Sequence, residues 1–287
     1  MNKQIRLKIG GVPEHFNLPW RLAIEEGETN QLGLQLHWSD MTGGTGQMIR
    51  GLETGSLDIA VLLTEGITKS ILQGLDAKVI GVYVETPLRW GVHVPTKSSF
   101  QKNEDVENQT FAISRYGSGS HLMSYIMADT YNWDLSALKF NVIGDLYGGL
   151  WALENNEAQI FLWEKTTTQP FVEQGKCRYI GDVVTPWPCF VVAVRTEVYE
   201  KYTTEIKQLL EVVNQKAFAL KNNPEAAQII SWRCNLDEDK VREWLSETDW
   251  NYSGALDESI FEKTIHYLHK VGLVSESESE NWQQKLF

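Results

Sequence analysis

Two glycine turns and two strand ends in this 287-residue chain carry groups that could hold a small molecule. The first turn, SRYGSGSH at residues 114–121, sets Ser118 and Ser120 around glycines between an apolar run and a helix-like run. A helix beginning near Ser118 or Ser120 leaves its first amide N–H groups without intrahelical partners, and its dipole favours negative charge there. Serine hydroxyls and the close-approaching backbone of Gly117 and Gly119 then suit an oxyanion, with Arg115 and His121 able to add positive charge. The same residues equally make an N-capped strand-to-helix turn that holds no ligand. The turn is not a Walker loop, because GxxxxGK[ST] is absent, and it is not GxGxxG, because Leu122 stands where the third glycine belongs. TGGTG, residues 42–46, is the second glycine turn, with Gly44 inside it and Thr45 as the expected N-cap.

Other strand ends offer different chemistry. LLTEG places Thr64 and Glu65 just beyond an unbroken apolar run, and FLWEK places Trp163 and Glu164 just beyond another. Two carboxylates beside a site disfavour a simple inorganic anion and favour a ligand with an amine or ring N–H. Their plainer use is as acids at helix N-termini, a role worth about 0.3–1 kcal/mol each. VPEHFNLPW offers His15, Phe16 and Asn17, or else a hydrophobic staple around a helix start. Trp90, Trp163 and Trp187 lie at crossings and strand ends where an indole stacks on a planar ligand, although with 11 tryptophans most must fill the core. His37 and His93 fall in strands and read as structural histidines with satisfied nitrogens. Cys177, Cys189 and Cys234 are widely spaced, without CxxC or a nearby histidine at a ligand interval, and read as small buried thiols. No metal site or cofactor is expected.

These groups need elements to position them. RLKIGGV, LGLQLHWSD, LDIAVLL and KVIGVYVE read as strands. They alternate with helices in LPWRLAIEEG, TGQMIRGLETG and TEGITKSILQGLD, which implies βαβ units and a mostly parallel sheet. WGVHVP, QTFAIS, LKFNVI, EAQIFLW and KCRYIGD continue as strands, with helices in SHLMSYIMADTY, GGLWALENN and KTTTQPFVEQG, the last broken or restarted near Pro170. VVTPWPC, with two prolines in three residues, reads as a stiff extended connection before the strand FVVAVR. Everything after Thr196 reads as helical.

The strand-rich start lacks helices to cover its sheet and the helix-rich end lacks a sheet, so the two ends are expected to form one lobe. That lobe comprises residues 1–88 with 189–287, and residues 89–188 form an inserted second lobe. Two α/β lobes joined by two crossings would enclose a cleft at the carboxyl ends of their strands.

In order and spacing, GGTGQMIRGLETGSLDIAVLLTEG (43–66), FAISRYGSGSHLM (111–123) and GGLWALENNEAQIFLWE (148–164) resemble the type-2 periplasmic binding protein fold. Within it they look most like the nitrate/sulfonate/taurine and thiamine-pyrimidine-precursor group of ABC-transporter solute-binding proteins. The resemblance implies an α/β, two-lobed architecture with two mostly parallel sheets, two hinge crossings and a helical C-terminal region. It implies main-chain ligand contacts at Gly44, Thr45, Gly117, Ser118, Gly119 and Ser120, and contact from the loop at His15, Phe16 and Asn17. The iron-associated cysteine-rich motif of the fungal pyrimidine-precursor synthases of this fold is missing.

The expected function is a solute-binding protein that closes two lobes on a small anionic or polar heteroaromatic ligand, with an ABC permease as the partner the resemblance implies. The alternative is a cytoplasmic enzyme of the same fold using His15 and Glu65 as an acid–base pair. No Ser-His-Asp order, GxSxG or HExxH motif accompanies that pair. A net charge of −12 argues against nucleic acid or an anionic membrane as partner. No run approaches the roughly 20 apolar residues that span a bilayer. A monomer is expected. The amino-terminal residues show no signal-peptide pattern, so the chain as written is expected in the cytoplasm, or in the periplasm or outside the cell if a leader has been removed.

Overall fold

The computed structural model describes residues 4–287; residues 1–3, the start of the stretch read above for a secretory signal, lie outside the described residues. The fold opens with β1 (Ile5–Gly11), one 3-10 turn at His15–Asn17, α1 (Leu18–Glu25) and the short α2 (Glu28–Gln31). It continues with β2 (Leu34–Asp40), α3 (Gly44–Thr54), β3 (Ile59–Leu63), α4 (Thr64–Leu72) and β4 (Ala77–Val94). Next come β5 (Thr110–Ile113), α5 (Gly119–Thr130), β6 (Lys139–Val142), α6 (Leu146–Glu154), β7 (Ile160–Glu164), α7 (Lys165–Glu173) and β8 (Arg178–Arg195). The chain ends in α8 (Thr196–Lys221), α9 (Ala226–Cys234), α10 (Glu238–Glu247), α11 (Glu258–Lys270) and α12 (Trp282–Leu286).

The chain divides into two compact units, one made of the residues through Thr86 and from Trp187 onward, the other of Pro87–Pro186. In the first unit β1 lies between β2 and β3, parallel to both, and β3 pairs antiparallel with β8. β3 is buried at all five positions, as an unbroken IAVLL run in a sheet covered on both faces should be. In the second unit β5 lies between β6 and β7, parallel to both, and β7 pairs antiparallel with β4. The carboxyl ends of β1 and β3 therefore share one edge of the first unit, and those of β5 and β7 one edge of the second.

The two long strands depart from the sequence expectation. KVIGVYVE and WGVHV are one strand, β4, and the two-proline segment lies inside β8 rather than forming a separate connection. Pro186 and Pro188 are two residues apart, so both lack an N–H on the same side of the strand and leave the N–H groups of the other side intact. α7 likewise runs through Pro170 instead of breaking there. The C-terminal third is helical as expected, with a kink in α8 at Tyr202.

Close approaches hold the site-bearing helices in place. A Cβ at Gly66 would come 2.4 Å from Thr45 Cγ2, so the glycine lets α4 lie against α3. A Cβ at Gly148 would sit 2.0 Å from the Ile143 carbonyl oxygen, a backbone atom that cannot swing aside. Gly148→Ala is therefore expected to cost about 1–3 kcal/mol, read as a lower urea midpoint; an unchanged midpoint would refute this packing.

Candidate functional site

In the first unit the candidates gather at the carboxyl ends of β1 and β3. The loop after β1 is pinned from inside: the Phe16 carbonyl accepts from Tyr83 Oη at 2.7 Å and from Trp250 Nε1 at 3.1 Å. The His15 ring stacks on Phe16, with centroids 4.7 Å apart, and meets the edge of Trp244. Phe16 in turn tilts against Phe190, which is in register with Leu63 at the end of β3. Asn17 donates from Nδ2 to the Val12 carbonyl at 2.8 Å, while its buried Oδ1 has no hydrogen-bond partner among the described residues.

Thr45 and Thr64 serve the frame. The N-cap of α3 is Gly43, followed by Gly44 at φ 63°, so Thr45 lies in the first turn and not at the cap expected from the sequence. Gly44 has the left-handed conformation that favours glycine, just before Thr45. The Thr45 hydroxyl instead accepts from the Leu63 amide at 3.3 Å and ties α3 to β3. The Thr64 hydroxyl donates to the Pro188 carbonyl at 2.6 Å, and the Thr64 carbonyl accepts from Thr68.

Glu65 differs from both. It is 2 % exposed, its Oε2 accepts from the Trp187 indole N–H at 2.9 Å, and its Oε1 has no hydrogen-bond partner outside its own residue. Burial pushes its carboxyl up to about 7, against the pull of its own backbone N–H and of the indole. Trp187 is buried, and its ring faces the edge of Tyr267.

In the second unit the 114–121 turn is wired to itself. Ser118 caps α5, accepting from the His121 amide at 3.3 Å, and donates to the Arg115 carbonyl at 2.7 Å. Ser120 Oγ accepts from the Ser114 amide at 3.0 Å and lies 3.1 Å from Ser118 Oγ. The Gly117 amide donates to His121 Nδ1 at 3.0 Å. In that bond Nδ1 is the acceptor. The His121 ring packs against Tyr116, Tyr125 and Phe140. Of the amides in the turn, those of Gly119 and Ser120 have no partner among the described residues. At the matching turn of the first unit the Gly44 amide is used by the Met41 carbonyl, and the Thr45 and Gly46 amides have no partner among the described residues.

Glu164 takes the plainer of its two expected roles. It caps α7, with Oε1 accepting from the Thr166 amide at 2.9 Å and Oε2 from the Thr167 amide at 2.6 Å. Trp163 is half-buried and tilts against Phe161 with centroids 5.4 Å apart. Trp90, in register with Glu164, keeps a buried indole N–H without a partner among the described residues. His93 is structural, with its Nδ1 3.1 Å from the Phe161 carbonyl. Cys177 and Cys189 are buried thiols, and burial raises Cys177 to about 11. No cluster of three or more metal-ligating side chains occurs among the described residues.

Sequence reasoning missed the aromatic frame of Tyr83, Trp244 and Trp250 that fixes the 15–17 loop. Trp250 bonds to Phe16 across 234 residues, and no local pattern announces such a contact.

Residues 90–183 match the family model described as Ca3427-like PBP. No curated protein matches the chain. Among solved structures the chain is similar to the Candida albicans CA3427 gene product, described as defining a new family with the generic periplasmic binding protein fold. The two share 24 % identity over 98 % of this chain and 95 % of that one, with a TM-score of 0.88. It is also similar to the alkanesulfonate-binding protein SsuA from Xanthomonas axonopodis pv. citri, bound to MOPS, at 14 % identity over 96 % of each chain and a TM-score of 0.80. PhnD1 from Prochlorococcus marinus, in complex with methylphosphonate, is 11 % identical over 95 % of this chain and 100 % of that one, with a TM-score of 0.65. The strand order, the helix N-termini at the strand ends and these likenesses agree: the chain has the type-2 periplasmic-binding-protein fold.

Proposed function

We propose that this chain is a small-molecule binding protein of the solute-binding type, closing two lobes on a small anionic or polar heteroaromatic ligand. One observation carries the reading. Each unit keeps a pair of helix N-terminal amides without partners, Thr45 and Gly46 in one, Gly119 and Ser120 in the other, at the carboxyl edge of its sheet. Such amides, with the positive end of the helix dipole behind them, favour an oxyanion. The sulfonate and phosphonate ligands named for the structural neighbours are consistent with this chemistry. In a transport role the chain would deliver its ligand to a permease; no helix among its own described residues is long and apolar enough to cross a membrane.

The first test is a thermal-shift screen against nitrate, sulfate, alkanesulfonates, alkylphosphonates, amines and aminopyrimidines. A ligand at about a hundred times its Kd adds roughly 2.7 kcal/mol of stability, and no shift with any of them would remove the proposal. Bulky residues at Ser118 or Ser120 make poor probes, since both side chains are buried in the turn's own hydrogen bonds. Gly119→Pro is cleaner. It deletes one of the two unused amides at the first position of α5, where proline fits a helix, and Ser118 before it already has the extended backbone that precedes proline. Ligand affinity is expected to fall at least tenfold while the unliganded melting temperature stays put; undiminished affinity would sink the cradle.

The enzymatic alternative rests on the buried Glu65 carboxyl with one unpartnered oxygen, which burial pushes up to about 7, near where a general base works best. Turnover of a bound ligand, lost in Glu65→Gln, would establish it.

A further inference from the structure

We propose that Glu65 is the specificity-determining residue of the first unit and that it accepts a hydrogen bond from an amine or ring N–H of the ligand, so that the preferred ligand carries an N–H donor besides its anionic group. The inference rests on the binding-protein reading above and names the ligand class.

The comparison of the two strand-end carboxylates carries it. Both follow a buried strand and open a helix, yet Glu164 spends both oxygens on the amides of Thr166 and Thr167. Glu65 spends one oxygen on the Trp187 indole and leaves the other buried without a partner outside its own residue. Among the described residues no lysine or arginine is paired with it. Buried carboxylate oxygens in folded proteins are matched by donors, and one that is not matched needs a group the chain itself does not provide.

A second acceptor stands at the same edge. Asn17 Oδ1 is buried and unpartnered, and its side chain lies over Gly11, where a Cβ would come 2.8 Å from Nδ2. Gly11 is in register with Val61 of β3, the strand that leads to Glu65. The first unit thus holds two unmet acceptors on neighbouring strand ends. The same unit holds unmet donors in the Thr45 and Gly46 amides at the start of α3, and the Thr45 hydroxyl accepts from the Leu63 amide two residues before Glu65. A ligand that is an oxyanion at one end and an N–H donor at the other satisfies both sets. An inorganic anion satisfies only the donors and leaves Glu65 facing a like charge.

The test is titration calorimetry at pH 8 with matched pairs that differ only in the donor: 3-aminopropane-1-sulfonate against propane-1-sulfonate, and 4-aminopyrimidine against pyrimidine. The wild-type protein is expected to prefer the amino member of at least one pair by tenfold or more. In Glu65→Gln, an isosteric change, that ratio is expected to fall to about one. A preference that survives Glu65→Gln, or a wild-type preference for the donor-free member, overturns the assignment and leaves the binding-protein reading standing. Failure of every compound, together with a blank thermal-shift screen, overturns both.

Discussion

In the absence of ligand, Glu65→Gln is expected to gain stability relative to the wild-type protein as the pH rises from 5 to 8. The Glu65 carboxyl is raised from 4.5 to about 7 in the folded chain, burial being the main cause. Between those two values the folded state holds a proton that the unfolded state has released, so the Glu65 contribution to stability falls as pH rises through this window. A shift of this size corresponds to about 3 kcal/mol at full ionisation, and most of it falls between pH 5 and pH 8. Glutamine removes the titration and can still accept from the Trp187 indole. Its amide N–H groups take the place of the unpartnered oxygen, and leaving them unpaired costs about 1–3 kcal/mol at every pH. The decisive quantity is therefore the difference in slope: from pH 5 to pH 8 the variant should gain about 2–3 kcal/mol of stability relative to the wild-type protein. Parallel urea-unfolding curves across that range would show that Glu65 does not hold its proton on folding.

The positions of these groups were legible in the sequence to different degrees, for reasons that lie in the range of the interactions. The apolar run IAVLL marked a buried strand, so whatever followed it had to sit at a sheet edge, and Glu65 does. The glycines of 114–121 marked a strand-to-helix turn in the same way. What each polar group is bonded to was not legible. Glu65 and Glu164 look equivalent as letters, and only the fold shows that one caps its own helix two and three residues on while the other meets a tryptophan 122 residues away. The bond from the Gly117 amide to His121 Nδ1 was not legible either, because it depends on the turn's backbone geometry. The prolines of VVTPWPC misled for a related reason. Their cost depends on which side of the strand is paired, and that is a property of the sheet.

Acid is expected to loosen the second unit while it tightens the first, because His93 titrates in the opposite sense to Glu65. Burial lowers His93 from 6.5 to about 4, against the opposing pull of the Phe161 and Gly91 backbone groups and of the Asp182 charge. Between 6.5 and 4 the unfolded chain binds a proton that the folded chain refuses, so the contribution is intact above 6.5 and is lost as pH falls toward 4. From pH 8 to pH 5 the loss is about 2 kcal/mol. The imidazole cannot move to water to accept the proton: it is 1 % exposed, Nδ1 faces the Phe161 carbonyl, and Gly91 is without a Cβ that would otherwise stand 2.6 Å from Cε1. Because the Glu65 and His93 contributions are similar in size and opposite in sign, a global unfolding curve of the wild-type protein between pH 5 and pH 8 should be nearly flat. Hydrogen exchange, corrected for intrinsic rates, separates them. Amides of β7 and of β4 around His93 should lose protection at pH 5, while those of β3 and α4 around Glu65 should gain it. His93→Asn keeps an N–H that can reach the Phe161 carbonyl and has no proton to take up, so it should abolish the acid sensitivity of the second unit and leave the response of the first unchanged. Equal changes in both units, or acid sensitivity that persists in His93→Asn, would place the titrating group elsewhere.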